Sequence, residues 1–221
     1  MSGMPQQKEA ALFPQFRLGY GPLVLADIYQ PEVNLAVYRA AQHPKLEAKA
    51  LELCMARPGL KLACSGNAAA LSQHIEERLQ AELGLRALVE GIRESIQLFD
   101  ELFEPAAVGL RLEVLDRAMC PRCHVDRLAV RLIRTFCGPG TQWLPNEAVD
   151  RQWLGAAAAG LQDPDAALVQ DPSAVQTLLK GDVALMKGEG WEGNAGRGLV
   201  HRSPQVAAGE RRLVLTLDMA A

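Results

Sequence analysis

The sequence predicts an α+β protein. A sandwich or small barrel of short antiparallel strands fills its second half, and helices from the first half buttress it. Three patterns predict this. Before Pro105, apolar residues recur every three to four positions in two adjacent segments, the period of a helix face. From Gly109 onward they alternate with charged residues in short runs, the period of a strand. Clusters of Gly and Pro separate those runs, as the turns of an antiparallel architecture require.

Taken in order, Leu23–Ile28 reads as a short strand, Pro44–Ala56 as a helix and Leu60–Cys64 as another short strand. Leu71, Ile75, Leu79 and Leu83 then line one face of a helix, with Asn67 placed to cap its start and Gly84 to end it. The following helix carries the stripe Leu85, Leu88, Val89, Ile92, Ile96, Phe99 and Phe103, and Pro105 stops it. Two helices joined by a tight turn need a further apolar surface to cover, and a sheet supplies one. Gly109–Leu115, Val125–Phe136, Val183–Met186 and Arg212–Asp218 read as strands. Gly138-Pro-Gly-Thr141 is a tight turn; it lacks the Lys-Ser/Thr and the helix of a phosphate loop. Trp143 falls at the rim of the barrel, where it can wall a substrate site. Arg151–Leu179 is Ala-rich and partly helical, broken at Pro164 and Pro172. The glycine-rich stretch Gly188–Gly198 is a flexible loop, either a lid over a pocket or a plain connection. The chain thus divides into a mainly helical part, 1–105, packed on a barrel core, 106–221, the two forming one integrated domain.

Composition excludes several functions. The chain has 221 residues, 49% of them hydrophobic, with 23 Lys and Arg against 26 Asp and Glu. That apolar content is normal for a globular domain. A net charge of −3 offers no electrostatic footprint for nucleic acid. No apolar run approaches the roughly 20 residues a membrane span needs, and the polar start lacks the pattern of a signal peptide. The expectation is a soluble, cytoplasmic protein whose partner is a small molecule rather than nucleic acid or membrane. The five cysteines are an odd number in a chain large enough to build its own core, which argues against a disulfide scaffold. Cys54 and Cys64 read as buried structural thiols, and His43 and His74 as a loop and a solvated residue.

The chemistry concentrates at His124-Val125-Asp126. In a strand, residues i and i+2 point to one side with Cα atoms roughly 6.5–7 Å apart. An imidazole and a carboxylate so placed can converge on one ion about 2.0–2.2 Å from each. The pair needs a third ligand, and His201 is the candidate. It sits in Gly198-Leu-Val-His-Arg-Ser-Pro204, after Gly181-Asp-Val-Ala-Leu-Met186 and the glycine-rich loop. A second reading is open. Cys120-x-x-Cys123 followed by His124 has spacing that suits tetrahedral zinc, with Cys137 or a residue from elsewhere as the fourth ligand, in a non-catalytic protein of metal storage, sensing or transfer.

The order His-x-Asp, then Gly-Asp before an apolar strand, then His, then Arg resembles the double-stranded β-helix (jelly-roll or cupin-like) of iron(II) and 2-oxoglutarate-dependent oxygenases. The resemblance implies a metal-dependent dioxygenase with Fe(II), or Zn in its place, held by His124, Asp126 and His201, and 2-oxoglutarate as co-substrate. It also implies that Arg211 or Arg212 clamps the far carboxylate of that co-substrate, for which a guanidinium fork is suited. The pleat lets only one of the two face the pocket. Arg212 is favoured because it shares its face with Thr216, which can add a hydrogen bond, whereas Arg211 shares one with Leu213, Leu215 and Leu217. The Arg-x-Ser frequent in that superfamily is absent, since position 214 is Val. Longer motifs resemble an uncharacterised bacterial family, domain of unknown function 1826. They are Cys120-Pro-Arg-Cys-His-Val-Asp126, Gly138-Pro-Gly-Thr-Gln-Trp-Leu-Pro145, Ala184-Leu-Met-Lys-Gly-Glu189, His201-Arg-Ser-Pro204 and Arg211-Arg-Leu-Val-Leu-Thr-Leu-Asp218.

Overall fold

The computed structural model describes residues 15–41, 43–80, 85–155, 161–169 and 171–220. Leu83 and Gly84, expected to end the second helix, lie outside the described residues. Among the described residues, ten strands form two sheets. The larger holds seven in the order β1(Gln15–Gly19), β2(Val33–Tyr38), β8(Val183–Lys187), β5(Val130–Cys137), β10(Arg212–Ala220), β4(Ala107–Leu115) and β3(Lys61–Gly66). The smaller holds β7(Gln176–Thr177), β6(Gln142–Leu144) and β9(Val200–Arg202). An isolated bridge from His201 to His124 extends the smaller sheet by one residue pair.

The connectivity explains the architecture. From β4 the chain crosses to the small sheet at His124 and returns as β5. It crosses again as β6 and β7, returns as β8, crosses as β9 and returns as β10. This alternation between two facing antiparallel sheets is a double-stranded β-helix. The side chains between the sheets come from both. Ile133, Ala184, Met186 and Val214 of the large sheet pack with Trp143 of the small one and with Leu178 and Leu199, which flank its strands β7 and β9. Along β10, Val214 faces this interior while Leu213, Leu215 and Leu217 face away. The outward face is covered by α1(Pro44–Ala56), α2(Ala68–Gln80) and α3(Arg86–Phe103), whose Leu53, Ile75, Leu88, Ile92 and Phe99 join it in one apolar cluster. The large sheet is therefore buried on both faces in its centre.

The helices form where the periodicity predicts them. His43 opens α1, its Nδ1 accepting from the Leu46 amide at 3.2 Å. This gives a local role to a residue expected to have none. Asn67 Oδ1 accepts from the Ala70 amide at 2.9 Å at the start of α2. Two parts of the first half differ from expectation. Leu23–Ile28 is not a strand: Pro22–Tyr29 forms a 3-10 helix with Pro at its first turn, where a missing N–H costs nothing. The strands β1 and β2 carry no strong alternation in sequence, yet they add a parallel pair to the edge beyond β8. Residues before Pro105 thus contribute three strands as well as helices. Of the two thiols read as buried, Cys54 is and Cys64 is half-buried. No helix among the described residues is long and apolar enough to cross a membrane.

Candidate metal centre

His124, Asp126 and His201 each offer one ligand atom, and these atoms lie within 4.8 Å of one another. Among the described residues, no other group of three or more His, Cys, Asp or Glu side chains is gathered in this way. The backbone brings the two histidines together. His124 and His201 exchange both amide-to-carbonyl bonds at 3.0 Å, which sets their rings 4.5 Å apart. Asp126 follows two residues on, and its Oδ2 stands 3.7 Å from His201 Nε2.

The imidazoles are held ready for a cation. Nδ1 of His124 lies 2.9 Å from the carbonyl of Arg122, and Nδ1 of His201 lies 3.1 Å from that of Leu199. A carbonyl only accepts, so each Nδ1 carries a proton, which leaves Nε2 as the ring nitrogen that can bind a metal. Burial pushes the His201 imidazole down to about 4, against the opposing pull of Asp126, so it is neutral at ordinary pH. Two imidazoles and one carboxylate are a donor set that an octahedral divalent metal accepts with positions to spare.

The glycine-rich loop does not hang free over this site. Glu189 N–H donates to the Asp126 carbonyl at 2.9 Å, Gly190 N–H to that of Leu128 at 3.1 Å, and Gly188 N–H to that of Ala129 at 2.9 Å. A β-carbon on Gly188 would overlap the Leu128 carbonyl. Asn194 Nδ2 closes the loop on the Gly188 carbonyl at 2.8 Å. Glycine here serves close backbone approach rather than mobility, and the loop pins the strand entrance that carries Asp126.

Sequence reading missed the arginine that partners Asp126. Arg131, on the inward face of β5, reaches it with Nη1 at 2.9 and 3.2 Å from the two carboxylate oxygens. The same guanidinium binds Asp218 of β10 as a fork, Nε to Oδ1 at 2.7 Å and Nη2 to Oδ2 at 2.8 Å. Burial by itself would lower the pKa of Arg131. The bonds to Asp218 and the charges of Asp126 and Asp218 outweigh it and hold the group above its ordinary value.

Arg212 lies inside the barrel, 2% exposed, with no carboxylate among the described residues bonded to it. Its Nη2 donates to Thr141 Oγ1 at 2.7 Å and Thr135 Oγ1 at 3.2 Å, while its Nε has no partner. Burial pushes this guanidinium down to about 10. Thr141 immediately precedes β6, whose Trp143 pairs with His201. Two residues along one strand and one strand across put Thr141 and His201 about 8 Å apart at Cα. Arg211 belongs to the opposite face, toward Cys54 and α1. Thr216 shares the inward face with Arg212, but the hydroxyls that hold the guanidinium are those of Thr135 and Thr141. Trp143 is buried between the sheets, its ring 5.0 Å from Phe16, rather than standing at the rim.

The cysteine set Cys120, Cys123, His124 and Cys137 does not assemble. Cys137 ends β5 beside Cys54 of α1, and the bond from Cys54 lowers its pKa. Cys123 turns into a separate apolar cluster on the outer side of the small sheet. Burial there pushes its thiol up to about 12. Arg202 likewise faces outward, bound to Asp165 and Gln142 at 2.7 and 2.8 Å.

The family described as "protein of unknown function (DUF1826)" matches residues 19–218. The chain belongs to this family. No curated protein matches it. The DUF1826 chain is similar in structure to the dioxygenase for auxin oxidation of rice, at 14% identity and a TM-score of 0.47, over 95% of this chain and 83% of that one. It is similar to the 2-oxoglutarate complex of the corresponding Arabidopsis thaliana enzyme at 10% identity and 0.48, over 95% and 92%. A prolyl-4-hydroxylase of Pseudomonas putida follows at 13% and 0.42, over 89% and 96%.

Proposed function

We propose that this protein is an iron(II)- and 2-oxoglutarate-dependent dioxygenase acting on a small-molecule substrate. One observation carries the reading. A cluster of two imidazoles and a carboxylate shares the interior of a double-stranded β-helix with a buried guanidinium that no carboxylate among the described residues partners. A buried, unpaired cation is costly unless an anion completes it. In this reading the far carboxylate of a dicarboxylate co-substrate is that anion.

His124, Asp126 and His201 would hold the metal on one side. Iron(II) in such a site supplies reduction of oxygen coupled to oxidative loss of carbon dioxide from 2-oxoglutarate, one oxygen atom passing to succinate and one to substrate. The chain's part is orientation. The carbonyls of Arg122 and Leu199 fix the tautomers and aim both Nε2 atoms inward. Arg212, steadied by Thr135 and Thr141, would bind the distal carboxylate and set the direction from which the co-substrate approaches. The apolar packing around Trp143, Met186 and Val214 would keep water from that carboxylate pair and strengthen it.

The test is succinate release from 2-oxoglutarate by protein reconstituted with iron(II) without oxygen and then exposed to air. The wild type is expected to release succinate slowly even without its substrate. Arg212→Ala is expected to keep its metal and lose succinate release at least 10-fold, because only the carboxylate partner has gone. Bound iron with no succinate from the wild type would remove the co-substrate from the account.

A further inference from the structure

The ion pair between Arg131 and Asp126 is not an ordinary surface bridge. The side chains of Arg131, Asp126 and Asp218 are only 19%, 14% and 11% exposed, so solvent screens them little. Arg131 and Asp218 are neighbours across the β5–β10 ladder, so each holds the other to a rigid sheet. The fork between them fixes the plane of the guanidinium and leaves Nη1 as the nitrogen that points at Asp126. Nη1 takes one lone pair on each Asp126 oxygen, and a carboxylate has about four, so room for a cation remains. Arg111 Nη1 adds a bond to Asp218 Oδ2 at 3.1 Å from the solvent side.

We infer that Arg131, braced by Asp218, is a positioning residue that orients Asp126 toward the cation, and that Asp218 offsets the charge which Arg131 would otherwise place beside that cation. This rests on the reading of His124, Asp126 and His201 as metal ligands. Asp126 lies just ahead of β5, where its backbone is tied only through its carbonyl to the glycine-rich loop. Its side-chain rotamer is set by Arg131. Groups that hold a ligand from behind typically contribute 10–100-fold to metal affinity.

The test is titration of cobalt(II) chloride into wild type, Arg131→Gln, Asp218→Asn, the double variant and Asp126→Ala, reading both affinity and the visible absorption of the bound cobalt. Arg131→Gln is expected to bind cobalt(II) 10–100-fold more weakly and with an altered spectrum, which a merely structural role would not produce. Asp218→Asn is expected to move both readouts in the same direction by a smaller amount, and the double variant to be no worse than Arg131→Gln, because the two act through one contact. If Arg131→Gln fails to fold, Asp218→Asn decides alone, since it keeps the guanidinium and removes its brace. Folded variants that bind cobalt(II) as wild type does, with the same spectrum, would overturn the inference and leave the metal site standing. A wild type no tighter than Asp126→Ala would overturn the metal site, and the inference with it.

Discussion

Asp126 and His201 are where a single atom decides the outcome. Asp126→Ala or His201→Ala is expected to abolish divalent-metal binding measured by equilibrium dialysis, while Cys120→Ser and Cys123→Ser keep it, because neither thiol belongs to the group His124, Asp126 and His201. Lys187 makes a separate prediction. It is buried on the helix side of β8, bonded to the Gln30 carbonyl at 3.0 Å and set over the Trp191 ring. Burial lowers it to about 8. Between pH 8 and its unfolded pKa near 10.4, the unfolded chain binds more protons at this residue than the folded one does, so its contribution to stability rises with pH across that window. Chemical denaturation should find the wild type gaining on Lys187→Met by on the order of 2 kcal/mol from pH 8 to 10.5. At this scale the grouping of His124, Asp126 and His201 was legible in sequence through the order of motifs, although His124 makes only an isolated bridge and Asp126 lies ahead of β5, so their spacing by two is not that of a regular strand. Arg131 was not. Its alternation with Leu132 marks it as outward and solvated, yet β5 has no solvated face: Arg131 enters the barrel and Arg134 enters the helical layer to meet Glu94 at 2.8 Å. Its partner Asp218 lies 87 positions away, beyond any pattern in a short window.

Among the elements, the glycine-rich loop departs most from expectation. Composition marked it as flexible, whereas three of its amides are bonded to the strand entrance that carries Asp126. Gly188→Ala is expected to push the loop off Leu128, weaken metal binding several-fold and raise amide exchange at Glu189 and Gly190, since the new methyl has only backbone to displace. Helix caps behave more simply. Asn67→Ala should cost about 1 kcal/mol in denaturant unfolding and leave metal binding unchanged. The helices α1 and α3 were legible because burial on one face writes a 3.6-residue period. The strands β1 and β2 were not. Four of the six residues of β2 carry the same apolar character and face two different cores, so its alternation is erased.

At the scale of the whole molecule, the described residues form one large sheet with two coverings. The residue ranges 1–105 and 106–221 share that sheet: β2 pairs with β8, and β3 with β4. Residues 106–221 expressed alone are therefore expected to be insoluble or unfolded, with the face of Leu132, Leu215 and Leu217 stripped of its helices. Jelly-roll topology was legible only through the order of motifs, because which strand lies beside which is a long-range property. Once the sheets close, that topology brings His201 to His124 and Asp126. The most direct measurement is the metal content of protein purified without oxygen, by elemental analysis, beside Asp126→Ala and His201→Ala prepared identically. About one iron per wild-type chain and none in either folded variant is the expected result. A metal-free wild type that takes up no iron(II), or variants that retain a full equivalent, would contradict it.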